Sequence, residues 1–242
     1  MRSPTALNIL EVWELGQTRS PLDRALLVLT AASPDESWED LAALPIGQRD
    51  ARLLTLREQL FGPEFVSQAS CPKCGSRLEV SFTADDVRAR GETPPGNGLS
   101  LCAAGHEIEF RLPTSLDLLS IAGRTGDAAE QALLDRCLLK AHRDGEETTA
   151  AGLPAEVVDE IITRMSEADP QADTRTSLTC VACGHRWDTV FDISQFLWAE
   201  IDSWALRALR EVHLLASAYG WSESEILRLS PLRRHFYLQC AS

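Results

Sequence analysis

The sequence predicts an α+β fold, mainly helical, in which helical lobes are joined by a four-cysteine ribbon of short β-hairpins. Three observations carry this reading. Apolar residues recur at helical spacing at both ends of the chain. Two CxxCG motifs, Cys71-Pro72-Lys73-Cys74-Gly75 and Cys180-Val181-Ala182-Cys183-Gly184, stand far apart in sequence. Each is flanked by segments that alternate polar and apolar residues, the period of a half-buried strand.

The elements follow in order. Leu7, Leu10, Trp13 and Leu15 mark a first helix that ends near Gly16. Pro21 opens a second, through Leu26, Leu27 and Leu29, stopped by Ser33-Pro34. A third begins near Gly47, carries Leu53, Leu54, Leu56 and Leu60, and closes at Gly62-Pro63, a glycine followed by a breaker. Around the first knuckle, Phe65 to Ala69 and Arg77 to Phe82 read as strands. Gly91 to Gly98 holds Pro94-Pro95-Gly96-Asn97 and reads as an exposed loop. Leu99 to Cys102 and His106 to Phe110 form a hairpin around Gly105. Three helices then follow: one from Pro113 through Leu118, Leu119 and Ile121, one holding Ala132, Leu133, Cys137, Leu138 and Leu139, and one from Pro154 with Val157, Val158, Ile161 and Ile162.

The second knuckle lies between Ser177-Leu178-Thr179 and the alternating Arg186 to Phe191. A long amphipathic helix runs from about Ser194 to Tyr219, with Leu197, Ile201, Trp204, Ala208, Val212, Leu215 and Tyr219 recurring at helical spacing. Gly220 ends it, Ser222 and Glu225 form a capping box, and Pro231 starts the last helix. The expected organisation is a helical region over 1–64, the first half of the ribbon over 65–90, an inserted hairpin and helices over 91–175, the second half of the ribbon over 176–193, and a helical region over 194–242.

The four knuckle cysteines, Cys71, Cys74, Cys180 and Cys183, are the candidate metal ligands, and one structural Zn2+ is the expected cofactor. Zinc prefers a tetrahedron of thiolates, and two CxxC turns supply it completely. A closed shell leaves no place for a reacting water, so the expected site is structural and not catalytic. Two alternatives stay open: Cys102 and His106 could complete a site with Cys71 and Cys74, and His185 could join the second pair. A redox CxxC is disfavoured because no strand-then-helix context surrounds either motif. Cys137 falls on an apolar helical stripe and reads as core, and Cys240 as incidental. His142, His213 and His235 have no second ligand at metal spacing. Trp198, Trp204 and Trp221 read as core, with a partner interface as the alternative. Arg111-Leu112-Pro113-Thr114 reads equally as a contact motif or a strand-to-helix junction.

Composition narrows the function classes. The 242 residues are 44% hydrophobic and 24% charged, ordinary for a globular protein, with a formal net charge of −13. That field repels phosphate backbones, and the one basic run is Arg233-Arg234-His235. Nucleic acid is therefore not an expected partner, although a nucleic-acid-binding or transcription-associated zinc ribbon remains the alternative function. No apolar run is long enough for a membrane helix, and the N-terminus lacks a signal-peptide layout, so a cytoplasmic protein is expected. The chain contains no HExxH, phosphate loop, GxSxG elbow or dinucleotide fingerprint, so it is not expected to be an enzyme.

A resemblance adds to this. The order Arg49 to Arg57, Phe61-Gly62, the first knuckle, Phe110-Arg111-Leu112-Pro113-Thr114 and the second knuckle is distinctive. It continues through Glu211 to Ala216, Tyr219-Gly220-Trp221-Ser222, Glu225-Ile226-Leu227 and Arg233 to Leu238. From about residue 45 onward this resembles the zinc-ribbon proteins encoded with contractile phage tails and phage-tail-like injection particles. It is similar, more distantly, to baseplate hub assembly proteins of T-even phages. The resemblance implies a non-catalytic component or assembly factor of a baseplate or hub, with other baseplate or hub proteins as partners. It places the protein in the cytoplasm, where such particles assemble, or within the particle, and carries over the four knuckle cysteines as metal ligands.

Overall fold

The computed structural model describes residues 1–89, 98–143 and 145–241. Along the chain it forms α1 (Ala6–Gly16), α2 (Pro21–Ala32), α3 (Trp38–Ala42), α4 (Ile46–Phe61), β1 (Glu64–Ser70), β2 (Arg77–Thr83) and α5 (Ala84–Val87). Then come β3 (Leu99–Ala103), β4 (His106–Phe110), α6 (Ser115–Ser120), α7 (Asp127–Cys137), β5 (Leu138–Arg143), β6 (Glu146–Glu147) and α8 (Ala155–Ala168). The chain finishes with β7 (Arg175–Thr179), β8 (Arg186–Val190), α9 (Ile193–Tyr219), α10 (Glu223–Arg228) and α11 (Pro231–Ala241). The class is α+β and mainly helical, as the sequence predicts. The loop expected over Gly91 to Gly98 lies, except for Gly98, outside the described residues.

The chain divides into two compact units, Met1–Trp38 with Ile193–Ser242, and Glu39–Asp192. The first is helical and is organised on α9. Its buried stripe, Ile193, Leu197, Ile201, Ala205, Ala208, Val212 and Leu215, repeats at three- and four-residue steps. α1 starts at a capping box in which the Asn8 backbone N–H donates to the Thr5 hydroxyl at 3.3 Å. Trp13 Nε1 donates to Asp202 at 2.7 Å, tying α1 to α9. Gly16 is required at the end of α1 because a Cβ there would lie 2.2 Å from the Trp198 ring. Arg24 covers that same ring, its guanidinium carbon 4.7 Å from the ring centroid. Gly220, at φ +69°, turns the chain out of α9, and the Ser222–Glu225 capping box opens α10. Tyr219 stacks on Trp221 at 4.7 Å, and Tyr237 of α11 meets both edge-on.

Among the described residues, the second unit contains three antiparallel sheets: β1–β2, β3–β4–β5–β6 and β7–β8. The four-stranded sheet buries Leu101, Ile108, Phe110 and Ala141 together with Val157 and Ile161 of α8. One sequence expectation is corrected here. Leu138 and Leu139 do not extend the helix through Cys137: the helix stops there, and Leu138 begins β5. The apolar run continues the helical pattern, but β4 offers an open edge. Pairing Ile108 with Ala141 buries Ala141, and the Arg111 backbone N–H satisfies the Cys137 carbonyl at 2.9 Å. Tertiary pairing overrides local propensity.

Candidate metal centre

Each knuckle is a tight turn at the tip of a two-stranded hairpin. β1 pairs with β2 from Glu64↔Thr83 to Ser70↔Arg77, and β7 with β8 from Arg175↔Val190 to Thr179↔Arg186. The pairing delivers Cys71 and Cys180 at equivalent places, one residue past β1 and β7. The turns match in detail. The Gly75 N–H donates to the Cys71 carbonyl and the Gly184 N–H to the Cys180 carbonyl, both at 2.9 Å. The Cys71 N–H donates to the Ser76 carbonyl at 2.9 Å, and the Cys180 N–H to the His185 carbonyl at 2.8 Å. Gly75 and Gly184 take φ values of +74° and +69°, a conformation that glycine reaches without Cβ strain.

The two tips meet. The sulfurs of Cys71, Cys74, Cys180 and Cys183 all lie within 4.8 Å of one another. Cys71 Sγ is 3.7 Å from Cys183 Sγ, and Cys74 Sγ is 3.6 Å from Cys180 Sγ. A tetrahedron with zinc–sulfur bonds of about 2.3 Å has edges of about 3.8 Å, so these spacings fit a thiolate-bound ion. They are far too long for a disulfide, about 2.05 Å. Cys71 and Cys180 are buried, while Cys74 and Cys183 lie at the surface.

The electrostatics of the bare thiols point the same way. Ser76, through its hydroxyl and its backbone N–H, pulls the Cys74 thiol down to about 6. The His185 backbone N–H lowers the Cys183 thiol, but desolvation and the neighbouring sulfurs outweigh it and push that thiol up to about 12. Four thiolates cannot share this volume without a cation; with one, all four become anionic ligands. The donor set therefore fits one thiophilic ion, and all four positions of a tetrahedron are filled by protein.

The other candidates do not join this group. Cys102 stands exposed in β3 opposite Glu107. His106 is buried in β4, its Nδ1 3.1 Å from the Ala104 carbonyl oxygen. His185 stacks in parallel on Trp187, ring centroids 6.0 Å apart. Cys137 is core, as expected: it is buried, and desolvation raises its thiol to about 11.

Two constellations escape sequence reasoning. At the root of the ribbon, Phe65 of β1 stacks on Phe82 of β2 at 5.0 Å, and Phe191, just beyond β8, meets Phe82 edge-on at 5.3 Å. The ribbon is thus joined by sulfur at its tips and by aromatic rings at its root. A phenylalanine at the outer end of both hairpins was the available signal. The second constellation is Asp117, with no exposed side-chain surface. It accepts from Arg111 Nη1 and Nη2 at 2.6 and 2.8 Å, from Arg136 Nε at 2.9 Å, and from the Thr114 backbone N–H and hydroxyl at 2.9 and 2.8 Å. Arg111-Leu112-Pro113-Thr114 is therefore the strand-to-helix junction, pinned by a buried carboxylate. Desolvation works against the charge of Asp117, but the Arg111 and Thr114 hydrogen bonds prevail and hold its carboxyl well below the usual carboxylate range.

A mainly helical protein whose two distant hairpins converge on four thiols is, as a class, a four-cysteine ribbon protein. Comparison with known families makes the assignment specific: residues 26–198 match the family described as T4 bacteriophage base plate protein, and the chain belongs to that family. The match encloses both knuckles, and membership points to a structural role in a phage baseplate, in assembly with other baseplate proteins. No curated protein and no solved structure matches the chain. No helix among the described residues is long and apolar enough to cross a membrane.

Proposed function

We propose that this protein is a structural component or assembly factor of the baseplate hub of a contractile, phage-tail-like injection system. One structural zinc ion holds its ribbon, and the protein is not an enzyme. The observation that carries the reading is the four-sulfur cluster inside the family-matched region. A shell closed by four protein ligands supplies rigidity and has no position for a substrate or an activated water. The ion clasps segments 106 residues apart, counted from Cys74 to Cys180. Loop-closure entropy grows slowly with length, so a long excursion is clasped for little more than a short one. The protein works in the cytoplasm during particle assembly or within the particle, against other hub proteins.

Two measurements test this. Metal analysis of the purified protein is expected to find one zinc per chain, lost in Cys71→Ser and in Cys180→Ser. A coloured, iron-loaded protein, or metal unchanged in both variants, overturns the zinc reading. A tagged copy expressed with its tail genes is expected to bring down sheath, spike or wedge proteins. Normal contractile particles assembled in its absence overturn the baseplate role.

A further inference from the structure

Two unpartnered surfaces of this chain complement each other. One is a groove of about 280 Å3 between α7 and α8. Leu134 and Cys137 lie on one side of it, and Val158, Ile162 and Met165 on the other. Ile162 is 51% exposed there, a large apolar cost for a side chain facing only water. Asp127 and Glu130 stand at its edge, exposed and without an ion-pair partner among the described residues.

The other surface is α11. Leu232 is 81% exposed and Phe236 60%, one helical turn apart. The helix, PLRRHFYLQCA, contains two arginines and no acid in a chain of net charge −13. Arg234 is buried and already paired with Glu211 at 3.1 Å. Arg233 is exposed and has no acidic partner among the described residues.

We infer that this chain associates with copies of itself head to tail, α11 of one copy seated in the α7–α8 groove of the next. A groove between two helices takes side chains spaced by one turn, and Leu232 and Phe236 supply that pair. Arg233, beside them, meets the carboxylates of Asp127 and Glu130. Most of the surface of so acidic a protein repels a second copy, whereas α11, with two arginines and no acid, does not. The two faces differ, so the contact is heterologous: it propagates, closing into a ring or extending as a chain. This goes beyond the proposed baseplate role, and it is read on the purified protein alone, so its failure leaves that role untouched.

The test is sedimentation velocity across a concentration series. The wild-type chain is expected to sediment faster as concentration rises, beyond the size of a dimer. Phe236→Glu removes the inserted side chain and Ile162→Glu blocks the groove. Both positions are exposed, so both variants fold. Each is expected to weaken association at least about thirtyfold and remain monomeric. Mixed in equal amounts, they are expected to form a one-to-one dimer and nothing larger, because one intact groove meets one intact helix. Arg233→Glu is expected to weaken association about fivefold at low salt and much less at high salt. A wild-type chain monomeric at every concentration overturns the proposal. So does a mixture that stays monomeric, or a dimer abolished by Phe236→Glu but indifferent to Ile162→Glu, which would mean a symmetric α11 contact.

Discussion

The hairpin β3–β4 and the two ribbon hairpins, β1–β2 and β7–β8, start from the same alternation of polar and apolar residues. Their surroundings separate them. β3–β4 extends into a four-stranded sheet and lays Leu101, Ile108 and Phe110 against Val157 and Ile161 of α8. Each ribbon hairpin stays two-stranded. Toward the tips the pair buries Leu78 with the thiols of Cys71 and Cys180, and Val80 and Trp187 only in part, while at the root Phe65 is fully buried. A two-stranded hairpin is marginal in water, and three strands or a covering helix are needed for independent stability. The sheet obtains that from α8. At the ribbon root Arg57 of α4 lies over the Phe65 ring, 3.7 Å from its centroid. Toward the tips the described cluster holds hairpin residues alone: Cys71, Leu78, Val80, Cys180 and Trp187. Apolar packing in the sheet and, under the proposed zinc reading, coordination at the ribbon tips are alternative solutions to the same deficit.

The largest expected effect separates them directly. Removing the metal with a chelator, or by Cys180→Ser, is predicted to free the ribbon while the β3–β5 sheet persists. Structural zinc sites supply on the order of 10 kcal/mol or more of binding energy, which is folding energy for the segment they close. Hydrogen exchange followed by mass spectrometry should show β1, β2, β7 and β8 losing protection together, with β4 and β5 unchanged. Ribbon amides as protected without metal as with it would mean that the phenylalanine root suffices.

Next in size is the converse experiment. Phe110→Ala empties a fully buried site in the sheet and is predicted to cost about 4 kcal/mol in urea unfolding, with metal content unchanged in the folded fraction. Leu78→Ala, in the ribbon, is predicted to cost clearly less while metal is bound, because coordination carries the hairpins.

Asp117→Asn comes third, at about 3 kcal/mol, since it leaves the Arg111 and Arg136 guanidiniums facing a neutral amide. Its pH dependence has a defined sign. The folded pKa of Asp117 is depressed, so its contribution is complete above the unfolded value of about 3.9 and is lost as pH falls through the folded value. The stability gap between wild type and variant should be flat near neutrality and shrink only below about pH 4. A gap that closes at higher pH would show that the carboxylate is not held by these partners.

The same contrast explains what was legible in the sequence. The knuckles were legible because the turn is local: two cysteines, two residues between them, and a glycine at positive φ. The capping box at Ser222, the glycine at 220 and the stripe of α9 were legible for the same reason, as their causes lie within a turn or two of chain. β5 was not. Leu138 and Leu139 continue a helical pattern, and only the edge of β4, far back in sequence, turns them into a strand. Asp117 was equally hidden: its role depends on Arg111 and on Arg136, which a separate helix brings to it. The short helices α3 and α5 carry too few residues to show a period. Which four cysteines cluster could be read from spacing, but that Cys102 and His106 stand apart needed the register of β3 against β4.

The smallest predicted effect tests whether the two knuckles are equivalent. Gly184 has φ +69° and no atom within 4 Å of where a Cβ would sit, so Gly184→Ala pays only the conformational penalty of a left-handed residue, about 1 to 2 kcal/mol. The turn it strains is the one that presents Cys180 and Cys183, so the cost should appear as roughly tenfold weaker metal binding, with the sheet untouched. Gly184→Asn should recover most of the loss, because asparagine enters the left-handed region more readily. Gly75, at φ +74° with equally open surroundings, should behave the same way. Competition with a chromophoric chelator reads all four variants on one scale. If only one glycine matters, the two knuckles do not share the ion equally, and the hairpin with the insensitive glycine is held by its phenylalanine root more than by its sulfurs.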